Sequence, residues 1–297
     1  MQELLEIIEG NNIYAIAPSS GFSKQILEKL TITNKNKNIY IPENSFREGY
    51  VYLSNSDDNR FKILKNALEQ NNYNIIWCLK GGYGAARIVE RLYGLKRPKK
   101  EKIFIGYSDI TAIHLFLSQE WGWRTIHGSM LSEIYDINKD SKNFIYLNQI
   151  INGIVFNMEL TPINNIAENV SIIKGSINGG HMDLLNMSLK TKWEIKPKEI
   201  LFLEVNNKKG YQVDFYLTHF LQAGIFHQIK ALVIGDLMPK IDTYVDHAVN
   251  NFASDINIPV FKTSCFGHGK KNYPLMYNTN YQIMKDIDNS YIMKMVI

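Results

Sequence analysis

The stretch Lys102-Ile103-Phe104-Ile105-Gly106-Tyr107-Ser108-Asp109-Ile110-Thr111 runs as an apolar strand, breaks at a glycine, passes a serine and enters a helical pattern. A serine on a sharp strand-to-helix turn projects its hydroxyl away from the sheet, while the N–H groups of the first helical turn point at any oxyanion formed beside it. Such a turn displays a nucleophile. The competing reading is that Ser108 caps the helix beginning near Asp109, since serine is a favoured N-cap residue. On this stretch alone the cap is the simpler reading.

Upstream, Asn74-Ile75-Ile76-Trp77-Cys78-Leu79 reads as a second buried strand, followed by Lys80-Gly81-Gly82-Tyr83-Gly84-Ala85-Ala86 and a helix. Gly82 has no Cβ, so its N–H can lie close to a reacting carbonyl oxygen if this turn sits beside that of Ser108. Open α/β sheets place their ligands at the carboxyl ends of parallel strands, where both turns fall. Alternatively the glycines form only a tight turn, or a phosphate-holding loop. The spacing is not Gly-x-Gly-x-x-Gly, and no clear acidic residue follows at the distance needed to hold a ribose.

The first half alternates strand and helix. Strands are expected near Ile13–Ala17, Asn38–Ile41, Asn74–Leu79, Lys102–Ile105 and Arg124–Ile126. Helices are expected near Phe22–Leu30, Asp58–Gln70, Ala85–Tyr93, Ile110–Glu120 and Lys142–Ile151. Continuous apolar strands between amphipathic helices argue for an α/β parallel sheet covered on both faces. Around 153–168 the pattern turns irregular and Asn-rich, so a linker is placed there, between domains at 1–152 and 169–297. The second half reads as mixed α+β. Its strands fall near Val170–Ile173, Ile200–Glu204, Lys230–Ile234, Val260–Lys262 and Gln282–Met295, the last broken at Asp288-Asn289. Its helices fall near Met182–Leu189, Tyr211–Ala223 and Tyr244–Ala253.

Composition excludes several classes. With 297 residues and 45% hydrophobic content, the chain can bury a substantial core. A formal charge of +4 is small for this length, and the one dense basic cluster, Lys96 to Lys102, reads as a solvated loop, so no nucleic-acid partner is expected. The N-terminal Met1–Glu9 carries acids and no cleavage site, unlike a secretory signal, and no apolar run approaches the roughly 18 residues of a membrane span. Two cysteines outside any CxxC pair fit a reducing cytoplasm.

"KGGYGAARIVERL" followed by "KIFIGYSDITAIHLFLSQEWGWRTIHGSM" resembles the N-terminal half of the LD-carboxypeptidases, serine peptidases that include muramoyl-tetrapeptide carboxypeptidase and the microcin C immunity peptidase. The likeness begins at Ile13–Ser20 and continues through "INGGHMDLL", "EILFLEV", "YQVDFYLTHFLQAGIF" and "IPVFKTSCFGHGKKNYPL" in the family's order. It implies a flavodoxin-like N-terminal sheet and a C-terminal α+β domain with a swivelling-type, β-rich core. It implies Ser108 as nucleophile, Glu204 as orienting acid, His268 as general base, and an oxyanion hole from the N–H groups of Gly82 and Asp109. It further implies a murein peptide substrate trimmed of D-alanine in the cytoplasm, a homodimer, and no cofactor. His181, Ser129 and Phe215 stand where the family usually has Asn, Pro and Arg, which bears on the substrate pocket more than on the reaction.

Glu204, ending an apolar strand, is placed to fix an imidazole tautomer from the rim, although a surface acid would look the same. His268 lies between two glycines in a loop, where histidines are usually solvated. Among its rivals His127 beside Gly128 is the strongest, His114 reads as a buried structural residue, and His219, His227 and His247 read as surface or packing residues. Cys265, three residues from His268, is a weaker nucleophile candidate. No H-E-x-x-H occurs and Gly180-His181-Met182-Asp183 is too isolated for a ligand set, so no metal is expected. Lys80 and Arg87 are candidates for gripping a substrate carboxylate. Open alternatives are a hydrolase of microcin C-type peptide-nucleotides, disfavoured by the short 206–210 loop, a noncatalytic phosphate or nucleotide binder, and an unrelated serine amidase or esterase.

Overall fold

The computed structural model describes residues 7, 10–21, 28, 38–46, 49, 51–238, 242 and 244–296; the helix expected at Phe22–Leu30 lies outside them except for Glu28. Strands β1 (Ile13–Ile16), β2 (Ile39–Tyr40), β3 (Ile75–Cys78), β4 (Ile103–Gly106) and β5 (Thr125–His127) form a parallel sheet in the order 2-1-3-4-5. That order is the flavodoxin-like one, with its switch point between β1 and β3. Successive residues of a strand face opposite sides, so an unbroken apolar strand feeds two cores. In β3, Ile76 and Cys78 join a core with Leu64 and Leu68 of α1 (Asp57–Glu69) and Ile113 and Phe116 of α2 (Thr111–Gln119). Ile75 and Trp77 join the other, with Phe144, Leu147 and Ile150 of α3 (Lys142–Ile151).

Two local expectations need correction. The segment read as a helix over Ala85–Tyr93 is a pair of 3-10 turns, Ala85–Arg87 and Val89–Gly94. Gly84 enters it at φ +125°, and the β-branched pair Ile88 and Val89 falls at the break, where Ile88 has φ −115°. Lys102, read as the end of a solvated basic cluster, is 1% exposed, and its ammonium donates to the carbonyls of Ala67 (2.6 Å) and Gln70 at the end of α1. A cation there meets the free carbonyls and the negative end of the helix dipole. Burial still depresses its pKa, to about 8.

The second half builds a closed seven-stranded barrel. Its staves in chain order are β6 (Met158–Pro162), β7 (Ile172–His181), β8 (Ile200–Glu204), β9 (Ala231–Asp236) and β10 (Val260–Gly267), and, after β11 (Leu275–Met276), β12 (Asn280–Lys285) and β13 (Tyr291–Met295). β6 lies inside the segment read as a linker. Met158 and Leu160 point inward while Glu159 and Thr161 are exposed, a two-residue alternation that the flanking asparagines and Pro162 obscured. β11 leaves the barrel and pairs antiparallel with β5, Leu275 opposite His127. Helices α4 (Met182–Ser188), α5 (Gly210–Gln222) and α6 (Tyr244–Asp255) cover the outside, where Leu201 and Leu203 of β8 meet Val213 and Leu217 of α5. Among the described residues no helix is long and apolar enough to cross a membrane.

Candidate active site

Ser108 does not cap a helix. It opens the 3-10 turn Ser108–Ile110 with φ +61°, and no side chain caps that turn. The left-handed region is costly for a residue with a Cβ, on the order of 1–3 kcal/mol, and such strain is held only where the surroundings demand it. The tightness of the turn explains Gly106: a Cβ there would lie 2.9 Å from the Ile110 side chain. The strained turn delivers the Ser108 hydroxyl to His268, with Oγ 3.0 Å from Nε2.

Glu204 ends β8 and His181 ends β7, and the two are register partners across parallel strands. Glu204 is fully buried, and its Oε2 lies 2.6 Å from Nδ1 of His268. Burial alone would raise this carboxyl; the charges of His268 and His181, with the His268 hydrogen bond, overcome it and hold the pKa at about 2. An ionised carboxylate only accepts, so Nδ1 carries the proton and Nε2 of the neutral ring is free to accept from Ser108. Burial opposes charge on His268, but Glu204 outweighs it and the imidazole pKa is raised. A hydroxyl, an imidazole and a buried carboxylate in series can move a proton off the hydroxyl.

The loop carrying His268 is fastened to the N-terminal half as well as to the barrel, through Lys139, Asp140 and Asn143 before and at the start of α3. Nζ of Lys139 donates to the carbonyls of His268 (3.3 Å) and Gly269 (2.9 Å). Asn143 accepts the Asn272 N–H at 2.8 Å and donates to Lys270 O at 3.2 Å, and Asp140 N–H donates to the same carbonyl at 2.9 Å. Lys139 is itself paired with Glu133 (3.3 Å), which accepts the Tyr107 hydroxyl at 2.5 Å, and the Tyr107 and His268 rings lie 4.9 Å apart.

The glycine turn abuts the serine turn. A Cβ on Gly81 would lie 3.5 Å from Ser108 Oγ, and Gly82 holds φ +100° with its missing Cβ directed at Ser20. Asp109 ties the turns together. Its buried carboxylate accepts from Ser19 Oγ (2.5 Å) and from the Ala85 N–H (2.7 Å), joining the ends of β1, β3 and β4. Desolvation raises its pKa despite these bonds. The sequence supplied Asp109 only as a backbone donor; the clamp made by its side chain went unread.

A cavity of about 900 Å³ opens over Ser108 and His268, with Lys80, Asp183, Lys208 and Tyr216 on its walls. His127, the strongest rival base, is not on those walls: it is fully buried against Tyr107, Phe202 and Phe266, and burial depresses its pKa to about 4. His114 is buried, bonded to Thr125 Oγ1 and Gly106 O at 2.8 Å each. Cys265 is buried beside Glu159 O at 3.9 Å. Arg87 is engaged by Asp57 at 2.8 Å, which leaves Lys80 the better placed of the two carboxylate candidates. His181, read as isolated, lies beside the site, its ring centroid 5.3 Å from that of His268. The β7–β8 pairing sets His181 beside Glu204, the partner of His268, and no local pattern encodes it.

Residues 13–128 match the LD-carboxypeptidase N-terminal domain, and residues 174–283 match the LD-carboxypeptidase C-terminal domain. A putative carboxypeptidase of Rickettsia conorii is 42% identical over 287 residues, 95% of this chain and 90% of that protein. A probable murein peptide carboxypeptidase of Bacillus subtilis is 26% identical over 77% of this chain and 72% of its own length. The crystal structure of muramoyltetrapeptide carboxypeptidase from Oxalobacter formigenes shares the fold with a TM-score of 0.81 at 21% identity, covering 96% of this chain and 98% of that one.

Proposed function

The chain belongs to the LD-carboxypeptidase family of peptidases, and from that membership we propose that it is a serine-type L,D-carboxypeptidase releasing the terminal D-alanine of murein tetrapeptides. The observation that carries this reading is the hydrogen-bonded series Ser108–His268–Glu204, with Ser108 and His268 on the wall of the cavity and Glu204 buried behind them. Ser108 Oγ attacks the carbonyl joining the L-centre to the terminal D-residue, and its proton passes to Nε2 of His268 while Glu204 stabilises the imidazolium. The N–H groups of Gly82 and Asp109 meet the oxyanion. Collapse breaks the C–N bond as His268 returns the proton to the leaving amine, and D-alanine departs. Water, deprotonated by the same imidazole, then cleaves the acyl ester and frees the tripeptide and Ser108.

A cavity of about 900 Å³ admits a peptide of several residues, and the charges of both signs on its walls, Lys80, Lys208, Glu133 and Asp183, suit a substrate bearing charge at both ends. Cys78 and Cys265 are buried and unpaired, which supports a reducing cytoplasm, where the substrates are recycled wall fragments. Ser108→Ala should lower D-alanine release from tetrapeptide by several orders of magnitude. Trimming by that variant at near the wild-type rate would remove Ser108 from the mechanism. A processed microcin is the informative second substrate: nucleotide product without D-alanine release would change the substrate and leave the chemistry in place.

A further inference from the structure

We infer that His181, Glu204 and His268 form a binding site for a divalent transition-metal ion of the zinc type, and that a bound ion shuts off hydrolysis. One ligating atom from each of the three side chains lies within 4.8 Å of the other two. His181 Nε2 faces Asn206 Oδ1 at 3.2 Å; an amide oxygen accepts, so with the His181 proton on Nε2 its Nδ1 is a lone pair, and the Asp183 carboxylate 3.9 Å from it adds negative charge beside the site. Among the described residues that Nδ1 has no hydrogen-bond partner, and neither does Glu204 Oε1. His181 is 4% exposed and Glu204 is fully buried. Two buried lone pairs with no donor between them are costly unless a cation meets them.

Two imidazoles and one carboxylate suit zinc and its neighbours, and give magnesium or calcium too few oxygens. His181 and His268 both line the cavity, which gives water a route to a fourth position. Inhibition follows whichever ring nitrogen His268 uses. Ligation through Nδ1 moves the ring proton to Nε2, which then cannot accept from Ser108; ligation through Nε2 occupies the accepting lone pair itself. The regulatory half rests on His268 being the base of the proposed reaction, whereas binding does not depend on it.

Chelator-treated protein titrated calorimetrically with zinc chloride should show one site, at least tenfold weaker in His181→Asn, unaltered in the surface control His247→Asn, and absent for magnesium. Zinc should suppress D-alanine release reversibly by EDTA, with at least tenfold more zinc needed for half-inhibition of His181→Asn, each protein scaled to its own zinc-free rate. Equal zinc affinity in wild type and His181→Asn overturns the site, even if the protein trims no murein peptide. Tight, His181-dependent binding with undiminished turnover overturns the inhibition alone. Cobalt(II) absorption of the unaltered chain is independent of any folding defect in the variant: an intense visible band is expected from a four-coordinate site, and a weak six-coordinate spectrum overturns it.

Discussion

Lys139 Nζ lies 2.9 Å from the carbonyl oxygen of Gly269, 130 residues away in the chain. Through this bond and its companion to His268 O, the N-terminal half holds the backbone of the proposed base while the barrel holds Glu204. Lys139→Met should therefore let the imidazole drift from Ser108. We expect kcat to fall about 10- to 100-fold with KM little changed, the cost of misplacing a catalytic group by about an ångström. Steady-state kinetics on tetrapeptide check it; an unchanged kcat would show that the barrel alone positions His268.

The raised pKa of His268 sets the acid limb of the pH profile. Glu204 stabilises the protonated ring, but the reaction needs the neutral one, so activity falls as pH drops through a value above the ordinary 6.5. An unperturbed histidine would put the limb at about pH 6 to 7. Glu204→Gln removes the charge, so the limb should move to lower pH while kcat falls by roughly a thousandfold or more. Measurement of kcat/KM against pH for both proteins decides it; superimposable limbs would contradict the coupling.

Sequence made the βα turns legible because both carry their chemistry locally: the apolar run Ile103–Ile105 ends at Gly106 and Ser108, and Ile75–Cys78 ends at the glycine cluster. Family resemblance supplied Glu204 and His268, which no local pattern could join to Ser108. The closed barrel stayed hidden because its closing stave, β6, is short and flanked by loop-like residues. The clamp from Asp109 to Ala85, the anchoring of the His268 loop by Lys139 and Asn143, and the meeting of His181 with Glu204 are all tertiary contacts. Each side chain taken alone reads as an ordinary polar residue.

His114 and His127 are fully buried, and desolvation depresses them to about 3 and about 4. The unfolded chain then binds protons that the folded chain refuses, so stability declines as pH falls from about 6.5 toward 4. From pH 6.5 to 5 each histidine costs roughly 2 kcal/mol. His268 is shifted the other way, and the stability it contributes is already complete below the unfolded value of about 6.5, so it does not oppose the decline in that window. Urea unfolding at pH 7 and pH 5 should show the loss, and His127→Phe should roughly halve it. Equal pH sensitivity in the two proteins would mean that His127 is not held neutral.

Asp109 offers the sharpest separation of positioning from proton transfer. Its carboxylate accepts from Ser19 and from the Ala85 N–H, and so sets the glycine turn against the serine turn without facing His268. In Asp109→Asn an amide oxygen in the place of Oδ2 can keep both of these bonds, but its NH₂ group replaces the other oxygen beside the Gly84 N–H, a donor against a donor, and the charge toward Arg60 is lost. The proposed oxyanion donors, Gly82 and Asp109, would then be misaligned, and loss of one such donor costs about 10²- to 10³-fold in kcat. A partial misalignment should cost about 10- to 100-fold, with KM nearly constant and the acid limb unmoved, since the Glu204–His268 pair is untouched. Asp109→Ala, which leaves the buried Ala85 N–H unpaired, should add about 1–3 kcal/mol of destabilisation to a larger kcat loss. If Asp109→Asn instead shifted the acid limb, its carboxylate would have to act through His268, and the clamp would not be its role.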